Sequence, residues 1–163
     1  MSTSESGDAR TLLRHTLATV AYRGAKAVIG APPGFANFAA ADTTRTPVRI
    51  LAHMGDLYDC ALSMARGNTA WHDSTPLAWD GEIARFFAAL AAFDACLAGD
   101  QPLGVSVDRL FQGPVADSLT HIGQLAMLRR LAGAPVRGEN YARARIAAGN
   151  VGPEHPGPRV EFD

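Results

Sequence analysis

The sequence has little net charge and no long apolar run, and these two shortages exclude several classes of partner. Its 15 basic and 16 acidic residues give a formal net charge of −1, so no positive field attracts a nucleic-acid backbone or an acidic membrane. No apolar run approaches the roughly 20 residues of a membrane-spanning helix. We therefore expect a small-molecule substrate, with neither nucleic acid nor a membrane as a partner.

Cysteine is scarce as well. Only Cys60 and Cys96 occur, without the spacing of a metal motif, and buried free thiols are favoured over a disulfide between them. The first residues lack the basic and apolar regions of a signal peptide. These features favour a cytoplasmic protein whose residues 1–8 are frayed.

The chain does contain helical periodicity, which is interrupted by glycine and proline. Its 163 residues, 47% hydrophobic, suit one domain over residues 1–163. Asp8 is the expected cap of the first helix, Pro47 begins the second and Gly67 ends it. Apolar residues recur at helical intervals in four segments, and no segment shows the alternation of a strand. The predicted helices span residues 9–29, 47–66, 81–98 and 113–131.

The connections between these helices are long. Residues 30–46 suggest a crossover rather than a tight hairpin, and residues 99–112 hold at most one helical turn. The tail, residues 136–163, is irregular apart from a short helix predicted over residues 139–148. The predicted fold is all-α, a four-helix bundle with long crossover connections and an irregular C-terminal tail.

The last predicted helix carries polar residues in an otherwise apolar segment. Asp117 and His121 lie four residues apart, and Gln124 follows on the same side. Buried polar groups need partners, and these can be each other, the backbone or a metal ion. The apolar residues point in almost every direction around the axis, which predicts a mostly buried helix. They are Val115, Leu119, Ile122, Leu125, Ala126, Met127, Leu128 and Leu131.

A metal site in a bundle also needs a ligand from a facing helix, and His53 is the best candidate. It lies at the edge of the apolar arc of the second helix, whereas Asp56 and Asp59 are expected to turn toward solvent. Two imidazoles and one carboxylate would leave open positions on a divalent ion, as catalytic sites do. From the spacing alone, a buried ion pair is the simpler interpretation.

Two stretches of sequence resemble the DinB-like four-helix bundle family. They are Ile-Leu-Ala-His-Met-Gly-Asp at residues 50–56, and Asp-Ser-Leu-Thr-His-Ile-Gly-Gln-Leu at residues 117–125 followed by Leu-Arg-Arg-Leu-Ala-Gly at residues 128–133. In that family, one metal ligand comes from the second helix and two come from a His-x-x-x-His pair on the last core helix. Gly-Gln and a Leu-Arg stretch follow the second histidine.

Carried over by position, the resemblance implies that His53, Asp117 and His121 hold a divalent metal ion. Asp117 stands where the family has the first histidine of its pair. Aspartate can bind zinc, nickel, iron or manganese, and zinc or nickel is the first expectation. Gln124 would orient one of these ligands through a hydrogen bond, without binding the metal itself. The alternative is a lost site, in which Asp117 merely bonds His121.

The resemblance also implies a class of chemistry, because the family includes enzymes that use low-molecular-weight thiols. A bound ion would stabilise the thiolate and present it to a small electrophile in a dry pocket. The competing hypothesis is a non-catalytic, homodimeric bundle that binds a metal or ligand, in which Asp117 and His121 form a structural pair.

Four aromatic residues are candidates for the walls of such a pocket, with core packing as the favoured alternative. Arg129 and Arg130 could receive a carboxylate, but they are expected at a solvated helix end, where they complement the helix dipole. The aromatic candidates are Tyr58, Trp71, Trp79 and Phe86.

Overall fold

The computed structural model describes residues 3–162 and shows an all-helical chain. Its long helices are α1 (Thr3–Val28), α2 (Pro47–Ala65), α3 (Trp79–Ala98) and α5 (Ala116–Leu131). The short helix α4 (Val107–Leu110) and a π-helical turn (Phe111–Val115) lead directly into α5. Two single 3-10 turns, Phe35–Asn37 and Tyr141–Arg143, complete the helical elements. The predicted all-α bundle of four long helices is confirmed.

One continuous apolar core joins these helices. Helix α2 packs against α3 and α5, and α1 packs against the same two helices from the other side of the core. Within residues 3–162, no helix is both long enough and apolar enough to cross a membrane. The largest completely buried core side chains are Leu13, Leu17, Phe35, Leu51, Met54, Tyr58, Phe86, Leu90, Phe93, Leu97, Leu110 and Leu125.

The predicted beginnings of two helices need correction. Helix α1 already begins at Thr3, so Asp8 lies inside it and is not its cap. Residues 3–8 of the segment that is expected to be frayed therefore belong to α1, and Met1 and Ser2 lie outside the described residues. Helix α3 begins at Trp79, two residues before the predicted start at Gly81.

The predicted helix over residues 139–148 is wrong, since only the 3-10 turn Tyr141–Arg143 forms there. Tertiary contacts explain the difference. Glu139 is buried beside Lys26 of α1, and its backbone pairs with Glu161 as an isolated antiparallel bridge. A residue held extended by distant partners cannot begin a helix.

Helix α5 is less buried than its sequence predicts. Ile122, Leu125 and Leu128 are buried, but Met127 and Leu131 are each 56% exposed. The helix contacts α1 and α2 on one side, so the residues on its opposite side face solvent. Only one face of α5 is therefore buried, the face that packs against α1 and α2.

The expected solvated end of α5 is also wrong for Arg129, which is buried. Its guanidinium donates hydrogen bonds to the carbonyl oxygens of Ala27, Gly30 and Ala134. The carbonyls at the end of α1 have no partner within their own helix, and Arg129 satisfies them. Burial lowers the pKa of Arg129. Arg130 is exposed, as expected.

Candidate metal centre

The packing of α2 against α5 brings His53, Asp117 and His121 together. His53 Nε2 lies 3.4 Å from Asp117 Oδ2, and His121 Nε2 lies 3.4 Å from Asp117 Oδ1. The centroids of the two imidazole rings are 4.9 Å apart, with the ring planes nearly perpendicular. One donor atom from each residue lies within 4.8 Å of the other two. The structure thus unites the three ligands that the family resemblance implies.

The backbone just before Asp117 departs from a regular α-helix. The π-helical turn Phe111–Val115 contains Pro114, which has no N–H to donate to the preceding turn. A π turn adds one residue to the helical register and is frequent at functional sites. This turn therefore sets which face of α5 Asp117 and His121 occupy.

A contact with Gln124 orients the His121 ring. Gln124 Oε1 lies 3.0 Å from His121 Nδ1, and a carbonyl oxygen can only accept a hydrogen bond. The tautomer of His121 that carries its proton on Nδ1 can donate to Gln124, and its Nε2 then keeps a lone pair. That lone pair faces the Asp117 carboxylate, which also has only lone pairs to offer. Two acceptors in this arrangement repel each other unless a metal ion or a proton lies between them.

The distances suit a metal ion better than direct hydrogen bonds. Charge-assisted N–H···O bonds are about 2.7–2.9 Å long, which is shorter than the two separations of 3.4 Å. Two ligands that each lie about 2.0–2.1 Å from a tetrahedral ion are separated by roughly 3.3 Å. Each nitrogen-to-oxygen distance has the length of such an edge, although the two distances end on different oxygens of Asp117. The donor set of two imidazoles and one carboxylate is one that a divalent ion accepts.

Solvent reaches the three side chains unequally. The side chain of His121 is 9% exposed and that of His53 is 21% exposed, whereas that of Asp117 is 45% exposed. The imidazoles thus form the inner wall, and the carboxylate lies at the mouth. A small molecule can approach this group from the Asp117 side.

Two clefts adjoin the site, one beside Asp117 and one beside His53. One, of about 590 Å³, is lined by Asp117, Trp71, Cys60 and Pro114 among others. The other, of about 370 Å³, is lined by His53. The Trp71 ring lies 5.5 Å from the His53 ring, edge to face. Of the four aromatic candidates, Trp71 is the one that the structure places beside the site.

The other aromatic candidates lie elsewhere. Tyr58 and Phe86 are completely buried and contact each other in the core, and burial raises the pKa of Tyr58. Neither has surface to offer a substrate, so their assignment to a pocket is wrong. Trp79 packs edge to face against Phe35. These contacts correspond to core packing, the alternative that the sequence favours.

Asp56 is buried, with 2% of its surface exposed, whereas the sequence predicts that it turns toward solvent. It accepts hydrogen bonds from the Ser74 backbone and hydroxyl, and from Arg85 Nη1 at 2.9 Å. Burial would raise the pKa of Asp56, but these hydrogen bonds outweigh burial and lower it. Helical spacing could not reveal this, because the partners come from a loop and another helix.

Arg85 anchors α2 just where His53 begins to face the site. Its Nη2 donates to the carbonyl oxygen of Ala52 at 2.5 Å, and its Nε donates to Glu82. A Cβ at Gly55 would lie 2.7 Å from the guanidinium carbon, so only glycine allows this close approach. An arginine inside the apolar run of α3 is the sequence signal that points to this contact.

A second group, Asp56, Asp59 and His72, also has donor atoms within 4.8 Å of one another. Arg85 Nη1 lies 2.9 Å from Asp56 and 3.4 Å from Asp59. Arg85 therefore already gives both carboxylates a positively charged partner. Through Asp56, Ser74 and His72, this group fastens the loop before α3 to α2.

No family model, curated protein or solved structure matches this chain. The resemblance to the DinB-like family consequently depends on its short sequence motifs.

Proposed function

We propose that the protein is a divalent-metal-dependent enzyme of the DinB-like kind, with His53, Asp117 and His121 as the metal ligands. In this proposal it transfers a low-molecular-weight thiol to a small electrophile. The observation that carries the proposal is the orientation of His121, whose Nδ1 is taken by Gln124 while Nε2 faces a carboxylate. A cation resolves that otherwise repulsive arrangement.

The donor set suggests which ion is bound. Two imidazole nitrogens and one carboxylate oxygen suit zinc or nickel first, and also iron or manganese. When bound, such an ion supplies Lewis acidity and stabilises the thiolate form of a sulfur ligand. The exposed Asp117 and its adjoining cleft would admit the thiol and the electrophile.

Cys60 does not serve as the nucleophile in this proposal, although it lines the same cleft. Burial raises the pKa of the Cys60 thiol, and the thiolate is the reactive form. The sulfur would therefore come from a separate, small thiol. We place this activity in the cytoplasm, where the free thiols of Cys60 and Cys96 stay reduced.

The proposal predicts that the wild type retains a divalent metal and the His53→Ala/His121→Ala variant does not. Both proteins would be purified without chelators, reloaded with zinc, nickel or manganese, and measured by elemental analysis. We expect about one ion per chain in the wild type. Equal metal content in the two proteins would refute the proposal. Thiol turnover would be assayed only after metal retention is established.

The alternative is a non-catalytic, homodimeric bundle in which Asp117 and the histidines form a structural ion pair. The contacts of both carboxylate oxygens with the two rings favour it if the imidazoles are protonated. Asp117→Asn in the same metal experiment separates the two functions. Lower metal content, with an unchanged melting temperature of the metal-free protein, supports the enzyme. A lower melting temperature of the metal-free protein, with unchanged metal content, supports the bundle.

A further inference from the structure

The cleft of about 370 Å³ beside His53 contains two arginines. Arg45 directly precedes the cap of α2, and Arg49 lies in its first turn, four residues before His53. Residues at this spacing lie along one side of a helix. Both arginines are exposed, and within residues 7–162 neither side chain has an ion pair or a hydrogen bond.

This position concentrates positive charge. The beginning of a helix carries a partial positive charge, which cations normally avoid. The first turn of α2 contains no acidic residue, and the Thr46 side chain makes no capping hydrogen bond. Arg45 and Arg49 thus add to the positive end of the helix dipole, with no acidic residue in the first turn of α2 to offset them. This positive charge destabilises the first turn of α2 and favours the binding of an anion in the cleft.

The acidic residues of the cleft limit the charge of that anion. Asp56 is committed to Arg85 and Ser74, and Asp73 adds a second carboxylate to the lining. With Asp56 paired to Arg85, the two arginines face one remaining aspartate, and about one excess positive charge is left, too little for a phosphate dianion. A singly charged carboxylate, which a planar guanidinium binds through paired hydrogen bonds, fits better.

We propose that Arg45 and Arg49 bind the carboxylate of the small molecule whose reactive end approaches the metal ligands. His53 lies between the arginine cleft and the other metal ligands, because it lines the cleft and also faces Asp117. The inference rests on the proposed function, which supplies the metal ion that the reactive end of this molecule approaches. It adds the substrate class, which is a small carboxylate-bearing molecule.

The test uses two probes, N-acetylcysteine and N-acetylcysteamine, which differ only by a carboxylate. Calorimetry would measure their affinities for zinc-loaded and metal-free protein at one fixed salt concentration. We expect N-acetylcysteine to bind the zinc-loaded wild type at least about tenfold more tightly, since hydrogen bonds to charged groups are worth roughly that factor. Arg45→Gln/Arg49→Gln would bring the ratio close to one.

Arg66→Gln is the matched control, because Arg66 is an exposed arginine at the opposite end of α2. It should leave the ratio unchanged, and the double arginine variant should retain its metal. A ratio near one in the wild type, or no effect of the double variant, would overturn the inference. So would inorganic phosphate displacing N-acetylcysteine at lower concentration than acetate.

Failure of the proposed function gives a different result. If the wild type binds no metal but still prefers N-acetylcysteine through Arg45 and Arg49, the carboxylate cleft stands and the metal-dependent function falls. If metal binds and the preference is absent, the cleft falls and the metal centre stands.

Discussion

At the scale of single residues, Gln124 has a larger role than its exposure suggests. It is exposed on α5, and its amide oxygen lies 3.0 Å from His121 Nδ1, where it can accept a hydrogen bond. The tautomer of a histidine ligand is set by the hydrogen bond on its other nitrogen. Gln124 therefore directs the Nε2 lone pair of His121 toward Asp117.

Replacing Gln124 with methionine should weaken metal binding by about 10- to 100-fold, the usual effect of losing such a hydrogen bond. The His121 ring would then sample both tautomers and rotate more freely. Competition with a fluorescent zinc chelator would measure the affinity. Gln101→Met is the control, because this exposed glutamine lies in the connector before α4. Equal zinc affinity in both variants and the wild type would contradict the role of Gln124.

Individual residues also show where reading the sequence succeeds and where it fails. The juxtaposition of Asp117, His121 and Gln124 could be predicted, because residues four or three apart share one face of a helix. The burial of Asp56 and Arg129 could not be predicted. A helical wheel gives the direction of a side chain, but not the distant Ser74 or Ala27 that pairs with it.

At the scale of elements, the tail is fastened to α1 by a buried ionic network. Lys26 Nζ donates to Glu139 and to Glu161, at 2.7 Å in each case. The Tyr22 hydroxyl also donates to Glu139. The Glu139 side chain has no exposed surface, and that of Lys26 is 5% exposed. The network joins residues more than 100 positions apart, which explains why local periodicity could not predict the path of the tail.

Glu139→Gln should destabilise the protein by about 3 kcal/mol at pH 7, because it leaves the buried Lys26 charge without its completely buried partner. Urea denaturation followed by circular dichroism would measure the loss. Glu161→Gln is the control, since that side chain is 27% exposed and an exposed pair contributes little. A similar loss in both variants would argue against a special role for the buried carboxylate.

The same network gives a pH dependence with a definite sign. Burial would raise the pKa of Glu139, but hydrogen bonds from Lys26 and Tyr22 outweigh it and hold the pKa below the ordinary 4.5. A lowered pKa stabilises the fold above pH 4.5, and this contribution is lost as the pH falls toward the folded-state value. The stability difference between wild type and Glu139→Gln should therefore be constant above about pH 5.5 and shrink below pH 4.5.

At the scale of the whole molecule, the candidate metal centre lies between two helices that are far apart in the sequence. His53 comes from α2, and Asp117 and His121 come from α5, after the whole of α3 and α4. The bundle architecture could be predicted from four segments of helical periodicity and long connections. Which helices would be neighbours could not be read from periodicity, and the family resemblance supplied that expectation.

A bound ion should consequently stabilise the entire fold, because it joins α2 to α5 only in the native state. At a free zinc concentration of about 1,000 times the dissociation constant, the gain is roughly 4 kcal/mol. For a domain of this size, that gain corresponds to a rise in melting temperature of roughly 10 °C. Scanning calorimetry with and without zinc would measure it. The His53→Ala/His121→Ala variant, which lacks both imidazoles, should show no such rise. An equal rise in the variant would mean that zinc stabilises the protein from somewhere other than the interface between α2 and α5.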